Sequence, residues 1–321
     1  MPLTEFELIE RYFRDCGAAR SDVIAGVGDD AALLVVPPDV ELVAATDTLV
    51  AGVHFPEGSP AASIGHRALA VNLSDLAAMG ARPSWALLAL TIPEAEEVWL
   101  AEFAAGLGTL ARAHRVALVG GDTTRGPLTI TVQLLGTVPR GGALRRSGGH
   151  AGDALFVSGT PGDAAAGLAL EQGRLSAPPE ALTYLRDRFL LPTPRMALGE
   201  RLRGYASACI DVSDGLLGDA GKLAEASHGG VEISFAELPV SEPLVRAVGE
   251  EQARALALTG GDDYELLFTV HPEKVAAMLA DLPPERWGYT RIGALRAASG
   301  AEVVRDGTVM QFSHSGYQHF T

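Results

Sequence analysis

Five stretches of the chain set carboxylates beside glycines or hydroxyls. They are Gly28-Asp29-Asp30, Thr46-Asp47-Thr48, Gly120-Gly121-Asp122-Thr123-Thr124-Arg125, Asp211-Val212-Ser213-Asp214-Gly215 and Gly260-Gly261-Asp262-Asp263. Glycine lets the backbone approach a ligand and adopt positive φ without steric cost. Aspartate can hold a cation, and arginine can fork onto phosphate. One such stretch reads equally well as a solvated turn between strands. Recurrence tips the balance toward a protein that handles phosphate and metal together. Oxygen donors without a Cys or His cluster suit a hard cation, magnesium or manganese. No calcium-loop spacing D-x-[DN]-x-[DN]-G-x5-E occurs. Magnesium keeps waters and substrate phosphates in its shell, which fits a nucleoside triphosphate and phosphoryl transfer. That reaction asks the protein for in-line positioning and charge neutralisation more than for covalent chemistry.

Spacing excludes the common nucleotide motifs. Gly159-Thr160-Pro161-Gly162-Asp163 looks like a phosphate-binding turn but has no lysine and no G-x-x-x-x-G-K-[ST] spacing. At Gly221-Lys222, Leu216 stands where a first glycine is needed and Leu223 replaces the hydroxyl. No G-x-G-x-x-G follows a strand.

The elements that must position these groups follow from periodicity. Thr4 with Glu7 is a capping box opening a helix with Phe6, Ile9 and Phe13 on one side, as far as Gly17. Strands are expected at 23–27, 33–36 and 41–45, the last ending at Thr46-Asp47. His54 follows in a loop. A long helix from Ser59 to Met79 puts Ile64, Ala68, Val71 and Asp75 along one stripe, so Asp75 is expected to point inward. Strand 84–92 and helix 94–113 lead to the apolar run 116–119, which delivers the glycine–acid stretch as a turn. Strand 128–138 and a Gly- and Arg-rich junction (140–150, with the adjacent Arg145 and Arg146) divide the chain into domains 1–140 and 141–321. Beyond it, strands at 153–157, 208–210 and 266–270 and a helix at 216–226 are expected. Ser213 and Asp214 stand near the N-terminus of that helix, where free N–H groups favour anions.

Composition sets the limits. A chain of 321 residues suits two domains. A hydrophobic share of 47% with 37 glycines implies a packed globule rich in tight turns. A net charge of −15 speaks against duplex nucleic acid as a partner. Cys16 and Cys209 are too few for a disulfide framework or a thiolate zinc site. No signal peptide or run of ~18 apolar residues is present, which points to the cytoplasm and to no membrane partner.

Taken together, Gly28-Asp29-Asp30-Ala31-Ala32, Thr46-Asp47-Thr48-Leu49-Val50 with His54, Asn72-Leu73-Ser74-Asp75-Leu76-Ala77-Ala78-Met79-Gly80, the stretch from Gly120 to Pro127, Gly159-Thr160-Pro161-Gly162 and Asp211-Val212-Ser213-Asp214-Gly215 resemble the bacterial thiamine-monophosphate kinases. The resemblance runs to Tyr317-Gln318-His319-Phe320. It implies an α/β fold of two domains, an N-terminal mixed-sheet domain that pairs in a homodimer and a C-terminal α/β domain, as in aminoimidazole-ribonucleotide synthetase. It implies ATP with its phosphates held by magnesium ions on Asp30, Thr46, Asp47, Asp75, Asp122, Asp211 and Asp214. Gly121, Asp122, Arg146 and Ser213 would contact ATP, and Asp122, Asp211 and Asp214 would be the catalytic carboxylates. His54, Asp262 and Tyr317 would contact thiamine monophosphate, and the γ-phosphate would pass directly to it. The chain departs from the family at Asp262, where glutamate is frequent, at Ala45, where some relatives carry a hydroxyl, and near Ala105, where some carry an aromatic. Another ATP-dependent synthetase of the superfamily is the alternative. A selenophosphate synthetase would want a reactive cysteine beside a lysine, whereas Cys16 falls inside the first helix.

Overall fold

The computed structural model describes residues 4–312 and 314–317, so Gln318, His319 and Phe320 of the aromatic tail lie outside the described residues. The chain forms two compact units, Met1–Leu76 with Ala81–Gly141, and Ala77–Gly80 with Gly142–Thr321.

The first unit contains α1 (Glu5–Tyr12), β1 (Val23–Ala25), β2 (Leu33–Leu34), β3 (Val40–Val50), all but the last two residues of α2 (Ala61–Ala78), β4 (Arg82–Ile92), α3 (Glu97–Ala113), β5 (Ala117–Arg125) and β6 (Thr129–Pro139). Helix α1 begins at the expected capping box, Thr4 accepting from Glu7 N–H while the Glu7 carboxylate takes the Thr4 N–H. Four strands form a mixed sheet in the order β3-β6-β4-β5, with only β4 and β5 parallel. Side chains alternate across a strand. On one face Ala86, Leu88, Leu118 and Val132 meet Leu69 of α2 and Leu107 and Ala111 of α3. On the other, Trp85, Ala117 and Val119 are covered by Val23, Ala32 and Leu34 of the β1–β2 ribbon and its flank. The rest of that second face is open, with Leu42 49% exposed and Thr46, Thr48, Ala89 and Gln133 also exposed.

Helix α2 is buried on nearly every side, so the expected stripe is too narrow. Ile64, Ala68 and Val71 are buried as expected, whereas Asp75 is only partly so. The crossing of α2 and α3 is very close. A Cβ on Gly65 would lie 2.1 Å from the Phe103 carbonyl oxygen, and one on Gly106 would lie 1.9 Å from that of Ala62.

Two motif stretches sit differently from their sequence reading. Thr46-Asp47-Thr48 is inside β3 rather than at its end, because β3 pairs with β6 without interruption to Val50. The Gly120–Arg125 stretch is the second half of β5, and only Gly126, Pro127 and Leu128 make the turn. Pairing with β4 overrides the weak strand propensity of the two glycines.

The second unit contains β7 (Ala154–Ser158), α4 (Asp163–Glu171), α5 (Pro179–Leu190), α6 (Met196–Leu202), β8 (Ala206–Val212), α7 (Leu216–Ala226), β9 (Gly230–Ser234), α8 (Glu242–Val248), α9 (Glu250–Thr259), β10 (Glu265–Val270), α10 (Pro272–Asp281), α11 (Pro284–Trp287), β11 (Tyr289–Arg296), β12 (Gly300–Arg305) and β13 (Thr308–Met310). Its seven strands run in the order β13-β12-β9-β11-β7-β10-β8, antiparallel but for β12 with β9. Leu216, Ala220 and Leu223 of α7 pack on Val157, Ile210, Val212 and Leu267. Phe156 and Phe268 stack at 5.4 Å on the opposite face, with Tyr289 edge-on to both. Among the described residues no helix is long and apolar enough to cross a membrane.

Candidate active site

In the first unit the sheet register decides which acids meet. Thr48, Thr131, Ala89 and Asp122 form one row across the four strands, and Asp47, Val132, Leu88 and Gly121 form the next. Neighbouring rows point to opposite faces, so Asp122 looks toward the open face and Asp47 toward the helices. Gly121 sits at φ +152°, where a Cβ would fall 1.8 Å from the Leu88 carbonyl oxygen. Only glycine lets β5 pass this close to β4.

Beside Gly121 lies a pocket of about 320 Å³. Its lining joins the apolar Phe6, Ile9 and Phe13 to Asp29, Asp30, Gly121 and Asp122. Asp30 N–H donates to Asp29 Oδ1 at 2.8 Å, holding the Gly28–Asp30 turn closed. Thus Asp30, Gly121 and Asp122 are brought together. Thr46, Asp47, His54 and Asp75 do not line this pocket. The Thr46 hydroxyl donates to the Val132 carbonyl oxygen at 3.2 Å. His54 Nδ1 accepts the Val50 N–H at 3.0 Å, which puts the ring proton of the neutral side chain on Nε2.

In the second unit three stretches meet. Strand β8 ends at Val212 and releases Ser213, Asp214 and Gly215 over the start of α7. Ser213 carbonyl oxygen accepts the Asp262 N–H at 2.8 Å, and Asp214 carbonyl oxygen accepts the Tyr317 N–H at 2.9 Å. The Asp211-to-Gly215 stretch, the Gly260-to-Tyr264 stretch and the C-terminal Ser315-to-Tyr317 are therefore joined. Asp262 and Tyr264 both hold positive φ, +71° and +53°. The Tyr264 hydroxyl donates to Asp262 Oδ1 at 3.1 Å. Such backbone is uncommon outside glycine and gathers at functional sites. The Tyr317 side chain is 49% exposed. Asp211 is buried on the sheet face that looks away from α7. Arg146 is exposed, and Ser227 fixes its backbone by donating to the Arg146 carbonyl oxygen at 2.9 Å.

The expectation of free N–H groups at α7 is corrected. Asp219, inside the first turn, turns its Oδ2 back to accept from Ser213, Asp214 and Gly215 N–H at 3.0, 3.1 and 3.3 Å. Lys222 Nζ then lies 2.8 Å from Asp219 Oδ1 and 2.6 Å from Asp214 Oδ2. Burial pushes the Asp219 carboxyl up, against the pull of Lys222. Burial works to lower the Lys222 ammonium, but the bonds to Asp214 and Asp219 outweigh it and raise its pKa. The Gly159–Gly162 turn is closed in the same way. Its helix start donates Gly162 and Ala164 N–H to the two oxygens of Asp263, at 2.7 and 3.1 Å. Full burial holds the Asp263 pKa well above the ordinary value. Its neighbour Glu265 is also fully buried, gripped by Arg188 at 2.8 Å, by Arg195 at 2.5 Å and by Ser158 Oγ at 2.5 Å. Burial works to raise Glu265, and the two guanidinium groups overcome it and lower its pKa. Asp219, Lys222, Asp263 and Glu265 were not singled out from sequence as partners. Lys222 three residues after Asp219 was the one local signal.

Among the described residues no three His, Cys, Asp or Glu side chains are gathered to hold a metal alone. The donor set nevertheless fits magnesium, which is bound by one or two carboxylates and completes its shell with water and phosphate oxygens. Asp30 and Asp122, exposed at the pocket of the first unit, offer that number and type.

The profile of the AIR synthase related protein, N-terminal domain, matches residues 28–138, and that of the C-terminal domain matches residues 150–306. Thiamine-monophosphate kinase of Salmonella typhimurium is 47% identical over 322 residues, covering 100% of this chain and 99% of that protein. The crystal structure of thiamine-monophosphate kinase from Stenotrophomonas maltophilia has a TM-score of 0.86 at 46% identity, covering 97% of this chain and 99% of that one. AaThiL complexed with AMPPCP and TMP has a TM-score of 0.77 at 34% identity, covering 89% of each chain. Matched end to end at nearly half its positions, the chain belongs to the thiamine-monophosphate kinases of the AIR synthase related family.

Proposed function

We propose that the protein transfers the γ-phosphoryl group of ATP to the phosphate of thiamine monophosphate, giving thiamine diphosphate and ADP. What carries this reading is the meeting of two glycine–acid stretches across one pocket, in a chain aligned along its whole length with kinases that act on this acceptor. Thirty-four per cent identity to AaThiL complexed with AMPPCP and TMP supports both co-substrates.

A phosphate oxygen of the acceptor attacks the γ-phosphorus while the bond to the β–γ bridging oxygen breaks, and the electron pair leaves with ADP. Asp30, Thr46, Asp47, Asp75 and Asp122 in the first unit and Asp211 and Asp214 in the second would hold magnesium. The bound ions supply positive charge against the phosphates where negative charge builds in the transition state. Gly121 admits the nucleotide close to the backbone, and Arg146 and Ser213 contact it. His54, whose ring Val50 holds through Nδ1, binds the acceptor; Asp262 and Tyr317 bind its ring system. Transfer is direct. Cys16, whose pKa burial pushes up to about 11, and the buried Cys209 are no nucleophiles at neutral pH.

We propose a cytoplasmic protein, and the open sheet face bearing Leu42, Thr46 and Thr48 supports a homodimer. Light scattering at micromolar concentration is expected to give twice the 33.4 kDa chain mass. The activity itself is tested by incubating purified protein with ATP, magnesium and thiamine monophosphate. Failure to form thiamine diphosphate, with ATP turned over on another acceptor, would favour a synthetase reading.

A further inference from the structure

The chain carries 25 basic side chains, of which only two, Lys222 and Lys274, are lysines. One of the two sits on Asp214. We infer that Lys222 is a resident counter-ion of Asp214 that a divalent cation must displace, so that it sets the metal concentration at which this carboxylate is filled. The inference rests on the proposed role of Asp214 as a magnesium ligand.

Two acids share the ammonium, and they are not equivalent. Asp219 is buried and fully committed, with Oδ2 to three backbone N–H groups and Oδ1 to Lys222. A cation entering there would dismantle the start of α7. Asp214 is 38% exposed, Lys222 is 45% exposed, and the bond between them at 2.6 Å closes no backbone turn. Lys222 can therefore swing off Asp214 while keeping Asp219. Arginine would suit this poorly, since a planar fork spanning both acids is preorganised to stay, whereas an ammonium on a four-carbon stem pivots. Without metal the pair cancels the charge of Asp214, beside which the Tyr317 backbone is bonded. With metal the same carboxylate is released to its cation.

Half-exposed ion pairs contribute little, so removing the competitor is expected to tighten metal binding at Asp214 by roughly 1.4- to 5-fold. Free Mn²⁺ in equilibrium with the protein, read by electron paramagnetic resonance, measures this. Asp214→Asn is expected to lose a binding step that the parent has, Lys222→Met to tighten that step, and Lys222→Arg to bind more weakly than Lys222→Met. A second measurement uses the parent protein alone. Amine acylation resolved by mass spectrometry is expected to show Lys222 labelling faster, relative to Lys274, as Mn²⁺ is added. If Asp214→Asn leaves Mn²⁺ binding unchanged, the metal reading of Asp214 falls. If Asp214→Asn loses the step, but Lys222→Met does not tighten it and the labelling ratio stays flat to saturation, the displacement of Lys222 falls alone. Should Lys222→Met fail to fold, the labelling ratio decides.

Discussion

Glu265→Gln tests whether the Gly260–Glu265 segment is braced from beneath. The substitution keeps the shape of the side chain and removes its charge. Breaking a buried pair by removing one partner costs about 3–5 kcal/mol, because it strands a charge. Two features favour the lower end here. Arg195 is 29% exposed and can turn to water, while Arg188 keeps Asp163 at 3.9 Å. A loss of about 3 kcal/mol follows. For a unit of 150–250 residues each kcal/mol lowers Tm by roughly 2–4 °C, so a fall of about 6–12 °C is expected. Scanning calorimetry of parent and variant reads this fall directly. Because Glu265 follows Tyr264 directly and Asp262 by three residues, KM for thiamine monophosphate is also expected to rise. A fall of less than about 2 °C would refute the bracing, by showing that the two arginines are served equally well without the carboxylate.

Asp122→Asn keeps the shape at the pocket and removes one electrostatic stabiliser, so steady-state kinetics should show kcat reduced by a factor on the order of 10² or more; near-parent kcat would remove Asp122 from the reaction. Tyr317→Ala is expected to raise KM for thiamine monophosphate and leave ATP binding intact in calorimetry, since ground-state contacts report in KM; the reverse pattern would displace Tyr317 from the acceptor. Asp263 has its pKa raised above 3.8, so its stabilising contribution is complete below that value and is lost as pH climbs through the raised one. Relative to the non-titrating Asp263→Asn, the parent should gain in Tm as pH is lowered through the raised value toward 3.8. A constant gap would mean that Asp263 does not titrate in that range.

Elements with a local signature were legible in the sequence. The capping box at Thr4 and Glu7 marks the start of α1, and α7 covers 216–226 as its periodicity dictates. The glycine–acid stretches were visible as chemistry, but their setting was not. Whether Gly120–Arg125 turns or continues as strand depends on β4, whose partner residues come some thirty positions earlier. Likewise Thr46-Asp47 lies mid-strand because β6, more than eighty residues on, pairs along its whole length. The buried acids were least legible. Asp263 caps a helix about a hundred residues before it, and Glu265 meets Arg195 seventy residues away. Neither has a neighbour in sequence that betrays the contact. Asp219 is illegible for a different reason, since it caps α7 from within the helix rather than from the position before it.

The close crossing of α2 and α3 bears on how this domain can be reshaped. With Gly65 against the Phe103 carbonyl and Gly106 against that of Ala62, neither helix can accept even a methyl group at the contact unless the other gives way. For an engineer the two helices are one part, to be transplanted or left alone together. Retuning of substrate or assembly belongs instead on the opposite side of the sheet, where exposed threonine and alanine positions can change without the helix pair registering it.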